Sequence, residues 1–188
     1  AWSKTFTNGA GQGGQGLKVW KDNLLIAKST NLFGYGPLSG SASIYTIGNL
    51  EADLSWHPII VGQDDIIYVG NGRYVATLKE NSGQDFQAGT AATFTYNEQA
   101  LDLPEDYKIR CLGELGKYVM AGTWKGGNIY DFKVADIFPW DRTSDSFNIP
   151  IKLQENGVHA MLSKDNVLYF FAGTEGKLFE TDGSSVKE

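Results

Sequence analysis

One cysteine, two histidines and three arginines in 188 residues leave little material for the commonest site chemistries. Cys111, being alone, can form no internal disulfide. Metal sites draw on several His, Cys or carboxylate ligands at short spacing. His57 and His159 stand far apart and the full Asp-x-Asp-x-Asp-Gly calcium loop is missing, so no metal and no cofactor is expected. Asp22, Asp64, Asp65 and Asp165 read instead as turn residues. No Gly-x-Ser-x-Gly elbow supports a hydrolase triad, and a triarginine clamp would consume Arg73, Arg110 and Arg142 together. No apolar run approaches the roughly 18 residues of a membrane-spanning helix. A net charge of −6 excludes a generic nucleic-acid surface, which needs clustered Lys and Arg to neutralise phosphates. The N-terminus lacks the charged and apolar regions of a signal peptide, and the start at Ala1 in place of Met points to a processed chain or a piece of a longer one.

What is abundant is glycine, at 23 residues, with nine tyrosines and 13% aromatics, a composition that suits an all-β chain with many tight turns. Gly9, Gly11 and Gly14 formally match a dinucleotide fingerprint. That fingerprint needs a helix to follow, and Leu17-Lys18-Val19-Trp20 alternates as a strand, so the stretch reads as a loop. In Ile109-Arg110-Cys111-Leu112 the same period-2 alternation places Cys111 on the strand face of Ile109, as an inert buried thiol.

The chain repeats. Lys21-Asp22-Asn23 opens an apolar strand near the start, and Lys164-Asp165-Asn166 opens another near the end, 143 residues on. The third-strand anchors Leu32-Phe33, Tyr74-Val75, Ile129-Tyr130 and Leu178-Phe179 are spaced by 42, 55 and 49 residues. About four repeats of roughly 48 residues, each with four short strands, predict a β-propeller, since a four-stranded blade cannot bury both faces without neighbours. The predicted blades are 17–56, 57–104, 105–150 and 151–188, forming either a small closed ring or part of a larger propeller. In the third blade, 128–132 reads as the third strand and Ala135–Asp141 as the outer one, because Pro139 belongs on an edge. The last blade shows no convincing outer strand, and the alternating segment Trp2–Thr7 is a candidate to complete it.

Binding remains as the function such a chain can carry. Turns joining second to third strands share one propeller face with the loops between blades. On that face Trp124, flanked by Lys125, is the best candidate for an exposed anchor, because Trp and Arg dominate interface hot spots. Arg73 and Glu175, in the corresponding turns of the second and fourth blades, complete the candidate set. The alternative role for Trp124 is packing between blades.

The segment Ala135-Asp136-Ile137-Phe138-Pro139-Trp140-Asp141 through Pro150, followed by Asn156-Gly157-Val158-His159-Ala160-Met161, resembles propeller repeats of bacteriophage tail and virion proteins. The likeness covers mainly residues 110–183, and its motifs are structural. It implies a viral, non-enzymatic module located in the virion, with other protein subunits or a host-surface receptor or glycan as partners. The alternative is a carbohydrate-active hydrolase with its site in the central channel, although the repeated Asp motif of sialidases does not recur. The single Trp140-Asp141 pair, with no Gly-His partner, gives a WD40 assignment little support.

Overall fold

The structure is a computed structural model that describes residues 16–51, 56–125 and 135–188. These residues form four antiparallel sheets, set as the blades of a four-blade propeller ring. Blade 1 holds β1 (Gly16–Trp20), β2 (Asn23–Lys28), β3 (Asn31–Gly36) and β4 (Ser43–Asn49). Blade 2 holds β5 (Ile59–Val61), β6 (Ile67–Asn71), β7 (Tyr74–Glu80) and β8 (Phe94–Asp102). Blade 3 holds β9 (Tyr107–Leu115), β10 (Tyr118–Lys125), β11 (Ala135–Asp141), β12 (Ser146–Phe147) and β13 (Ile151–Leu153). Blade 4 holds β14 (Val158–Lys164), β15 (Val167–Ala172), β16 (Lys177–Thr181) and β17 (Val186–Lys187).

Alternation along each strand decides which neighbour a side chain meets. In β15, Leu168, Phe170 and Ala172 are buried against blade 3, while Val167, Tyr169 and Phe171 point the other way. Three buried apolar clusters follow from this pattern, one for each successive junction. Trp20, Leu25, Leu32, Ile67 and Leu78 join blades 1 and 2. Tyr68, Val75, Ile109, Leu112 and Phe138 join blades 2 and 3. Met120, Ile137, Leu168, Phe170 and Phe179 join blades 3 and 4. Among the described residues no such cluster spans the fourth junction, from blade 4 back to blade 1.

Several expectations are corrected. The third strand of blade 3 is β11, not 128–132, which lies outside the described residues, and Pro139 therefore sits inside the sheet. Its carbonyl accepts from the Asn148 N–H at 2.7 Å, and the N–H it lacks would point to the same edge. The outer strand accordingly breaks opposite it into β12 and β13, both paired with β11, and Ile149 is pushed out to solvent. Blade 4 does have an outer strand, since Val186 and Lys187 pair with Thr181 and Glu180. The segment Trp2–Thr7 lies outside the described residues.

The two Lys-Asp-Asn copies are also one residue out of step. In the first, Lys21 and Asp22 form the turn, with positive φ of 48° and 60°, and Asn23 already pairs with Trp20. In the last, Asp165 and Asn166 form it, and Lys164 pairs with Val167. Asp and Asn tolerate that left-handed backbone better than most residues, so the shared tripeptide marks shared turn chemistry more than a shared register.

Candidate functional site

The innermost strands β1, β5, β9 and β14 surround a central channel of about 610 Å³. Two of these strands carry a bulge at corresponding places. In β9 the pairing steps from Ile109 to Cys111, leaving Arg110 as the extra residue. In β14 it steps from Val158 to Ala160, leaving His159. A bulge re-aims its extra side chain, and both line the channel. The same bulge overturns the expected alternation around Cys111. Ile109 packs toward blade 2, whereas Cys111 packs toward blade 4, its Sγ 3.6 Å from the Val158 carbonyl. The thiol is buried as expected, and burial pushes its pKa up.

From the channel wall, Arg110 reaches into an aromatic cluster. The Arg110 guanidinium lies over the Trp56 ring at 4.5 Å, and burial lowers its pKa. Trp56 meets Trp124 edge-on at 4.9 Å. His159 Nε2 lies 2.8 Å from the Gly173 carbonyl. Gly157, with φ of +68°, threads between them: a Cβ there would come within 3.8 Å of Arg110, His159 and Trp124. His57, fully buried nearby, has Nδ1 at 2.9 Å from the Gly70 carbonyl, and burial lowers its pKa.

One rim is a belt of charged contacts that runs from blade to blade. Asp65 accepts from the Trp20 indole at 2.8 Å and pairs with Lys21 at 2.5 Å. Its neighbour Asp64 accepts from the Tyr68 hydroxyl at 2.6 Å and lies 3.5 Å from Arg142. Arg142 pairs with Glu114 at 2.6 Å and donates to the carbonyls of Lys117 and Gly116 at 2.9 and 2.7 Å. Glu114 also accepts from the Gln63 N–H at 3.0 Å, and its own N–H donates to Ser163 at 2.8 Å. Glu114 is the one carboxylate on the described channel wall, so these residues assemble no acid–base pair of the glycosidase kind.

The candidates read from sequence lie at or beside turns between second and third strands. Arg73 lies in the β6–β7 turn, 3.1 Å from Asp102 and 3.9 Å from Glu105, with its guanidinium over Tyr74. Glu175 is exposed in the β15–β16 turn. Lys125 ends β10. Trp124 is not exposed: it is a strand residue of β10 with 4% of its surface accessible, which is the packing role. Arg110 and His159 were missed, because a bulge leaves no mark in a single sequence.

One further surface stands out. On blade 1, the face turned from blade 2 carries Leu17, Val19, Leu24, Ile26, Phe33, Tyr35 and Ile44, as the strand registers dictate. Leu17 and Val19 are 62% and 61% exposed. On blade 4, the face turned from blade 3 carries Leu162, Tyr169, Phe171 and Leu178, with Leu162 65% and Leu178 50% exposed. These two apolar faces bound the fourth junction, where Ile26 is buried and Leu17 and Leu162 line the central channel.

The four blades are those of a propeller. No family model and no curated protein matches the chain. Solved structures do. The computationally designed Ika4 protein matches with a TM-score of 0.58 at 15% identity, covering 96% of this chain and 98% of Ika4. The extracellular domain of the hybrid two component system BT4673 from B. thetaiotaomicron gives 0.60 at 15% identity, and this chain spans only 21% of it. BamB from Moraxella catarrhalis gives 0.51 at 14% identity, with 90% of this chain covering 44% of BamB. At these identities the likeness is one of fold. The likeness spans nearly all of Ika4 but less than half of BT4673 and of BamB.

Proposed function

We propose that this chain is a non-enzymatic structural or binding module that acts in protein assembly, as a component of a phage tail or virion. The observation that carries the assembly reading is the set of exposed apolar side chains on the two blade faces at the fourth junction. Soluble proteins seldom leave contiguous large apolar patches open, and those that do use them as interaction surfaces. Among the described residues, six of the ten exposed large hydrophobic side chains (Leu17, Val19, Ile44, Leu162, Phe171 and Leu178) lie on these two faces. The viral assignment rests on the resemblance of the 135–150 segment to phage propeller repeats. Attachment to a host-surface receptor or glycan stays within this reading, through the face that bears Arg73 and Glu175.

The test is location and chemistry together. Antibody labelling of purified particles should place the chain on the tail or capsid, and its absence from particles would overturn the virion assignment. Incubation with a panel of polysaccharides should release no reducing ends. Turnover abolished by Glu114→Gln would establish the hydrolase reading in its place.

A further inference from the structure

We propose that a groove between blades 1 and 2 holds an arginine side chain presented by a partner protein. This rests on the assembly reading above and adds what the partner must present.

The groove measures about 480 Å³, a volume common among ligand-binding clefts. Blade 1 forms one wall with Asn23, Gly36 and Tyr45, and the β7–β8 loop forms the other with Asp85, Phe86 and Gln87. Both walls are fixed by the fold. The Phe86 N–H donates to Glu80 at 2.8 Å, and the Gln87 N–H donates to Thr93 Oγ1 at 3.0 Å. The buried Phe86 ring packs on Trp20 and Phe94, at 4.7 and 5.5 Å between ring centres. Glycines let loop and blade approach closely. A Cβ at Gly34 would overlap Ala88, and one at Gly89 would come within 2.6 Å of the Tyr45 ring. A groove held in this way loses little conformational freedom on binding.

The groove offers acceptors and negative charge. Asn23 is only 5% exposed, and its Nδ2 donates to the Lys21 carbonyl at 2.6 Å. No described group donates to its Oδ1, which lies over Gly36. A Cβ at Gly36 would overlap that oxygen, so glycine leaves it uncovered. A buried acceptor without a donor is costly, and a ligand N–H would satisfy it. The exposed Asp85 carboxylate pairs with no cation among the described residues. Asp22 adds a second carboxylate, which accepts from the Ser39 N–H at 3.0 Å. Lys21 also lines the groove, but Asp65 holds its ammonium at 2.5 Å and Glu80 at 3.3 Å, so its charge is already matched. The complementary ligand is therefore a cation with several N–H donors. A guanidinium carries five donors in one plane and stacks on aromatic rings, and Tyr45, 41% exposed, stands in the groove to receive it. An ammonium lacks that plane, and a neutral saccharide gains nothing from the carboxylates.

Amide NMR of the whole isotope-labelled chain tests the site, with N-acetyl-arginine amide, N-acetyl-lysine amide, free arginine, glucose and galactose as probes. The capped arginine should shift the amides of Asn23, Gly36, Tyr45 and residues 85–90 saturably, with a Kd of about 1–10 mM for a single side chain. The capped lysine should bind more weakly, and the two sugars should leave these amides in place. Asp85→Ala changes an exposed loop residue, so it should keep the wild-type melting temperature and weaken the capped arginine about tenfold. Shifts that do not saturate by about 50 mM would overturn the proposal, as would an unchanged affinity in Asp85→Ala. Lysine binding as tightly as arginine would remove the case for a guanidinium, and a sugar binding more tightly would make the groove a saccharide site. Free arginine binding more tightly than the capped form would make the ligand the amino acid and not a partner's side chain. A chain found in particles that binds no arginine sinks the groove and leaves the assembly reading standing; arginine binding by a chain absent from particles does the reverse.

Discussion

Trp20 donates its indole N–H to Asp65 across the junction of blades 1 and 2, at 2.8 Å, while the same carboxylate holds Lys21 at 2.5 Å. Asp64, one residue earlier, reaches the opposite neighbour through Arg142. One turn of blade 2 therefore fixes both adjacent blades. The Lys21 and Trp20 contacts hold the Asp65 carboxyl below its ordinary value of 3.8. A carboxyl depressed in the folded state stabilises fully above its unfolded value and loses that contribution as pH falls through the folded one. The melting-temperature gap between wild type and Asp65→Ala should be constant from pH 7 to about 4 and close below that. Both partners are substantially exposed, so the gap should also shrink in high salt. Thermal scans across pH and ionic strength check both trends, and a gap that widens toward acid would refute the assignment.

Arg142 is the more costly member of the belt to lose. Its guanidinium reaches Glu114, Asp64 and two backbone carbonyls, and the Arg142 and Glu114 side chains are only 13% and 11% exposed. Removing one partner of such a pair strands the other charge, at a cost of about 3 kcal/mol. Arg142→Ala should lower the urea midpoint accordingly. Arg142→Lys keeps the charge but not the planar fork, and should recover less than half of the loss. Equal stability of Ala and Lys variants would show that the fork geometry contributes nothing.

Much of this architecture was legible because period-2 alternation and turn chemistry are local. β5, β6, β14, β15 and β16 fall close to where apolar alternation and Asp, Asn and Gly placed them. What was not legible depends on pairing partners. Pro139 reads as an edge residue, yet it occupies an inner strand because the outer strand breaks opposite it. Cys111 reads as sharing a face with Ile109, yet the bulge at Arg110 turns the two apart. Asn71 gives no local sign of its role, which is to bond the Glu51 N–H at 2.6 Å and the Glu98 carbonyl at 3.1 Å from a buried position.

Burial sets the reactivity of Cys111. The thiolate is the reactive form, and a thiol whose pKa is pushed up by its surroundings supplies almost none of it. Native protein at pH 8 should therefore resist a thiol reagent such as DTNB for hours, and should react stoichiometrically once unfolded in urea. Rapid labelling of the folded chain would place Cys111 at the surface, against its packing beside Val158.

Trp124 and Glu175 separate packing from binding on the face that joins second to third strands. The Trp124 ring is buried edge-on against Trp56, so Trp124→Ala removes a large core side chain and should cost about 3–5 kcal/mol. Glu175 is exposed in its turn, and Glu175→Ala should change stability by no more than about 0.5 kcal/mol. Chemical denaturation measures both. Any loss of partner binding in Trp124→Ala must then be read together with its lost stability, whereas a loss in Glu175→Ala or Arg73→Ala would report on the surface itself. Should Trp124→Ala unfold at the wild-type midpoint, its ring does not pack between blades and its role as an exposed anchor returns.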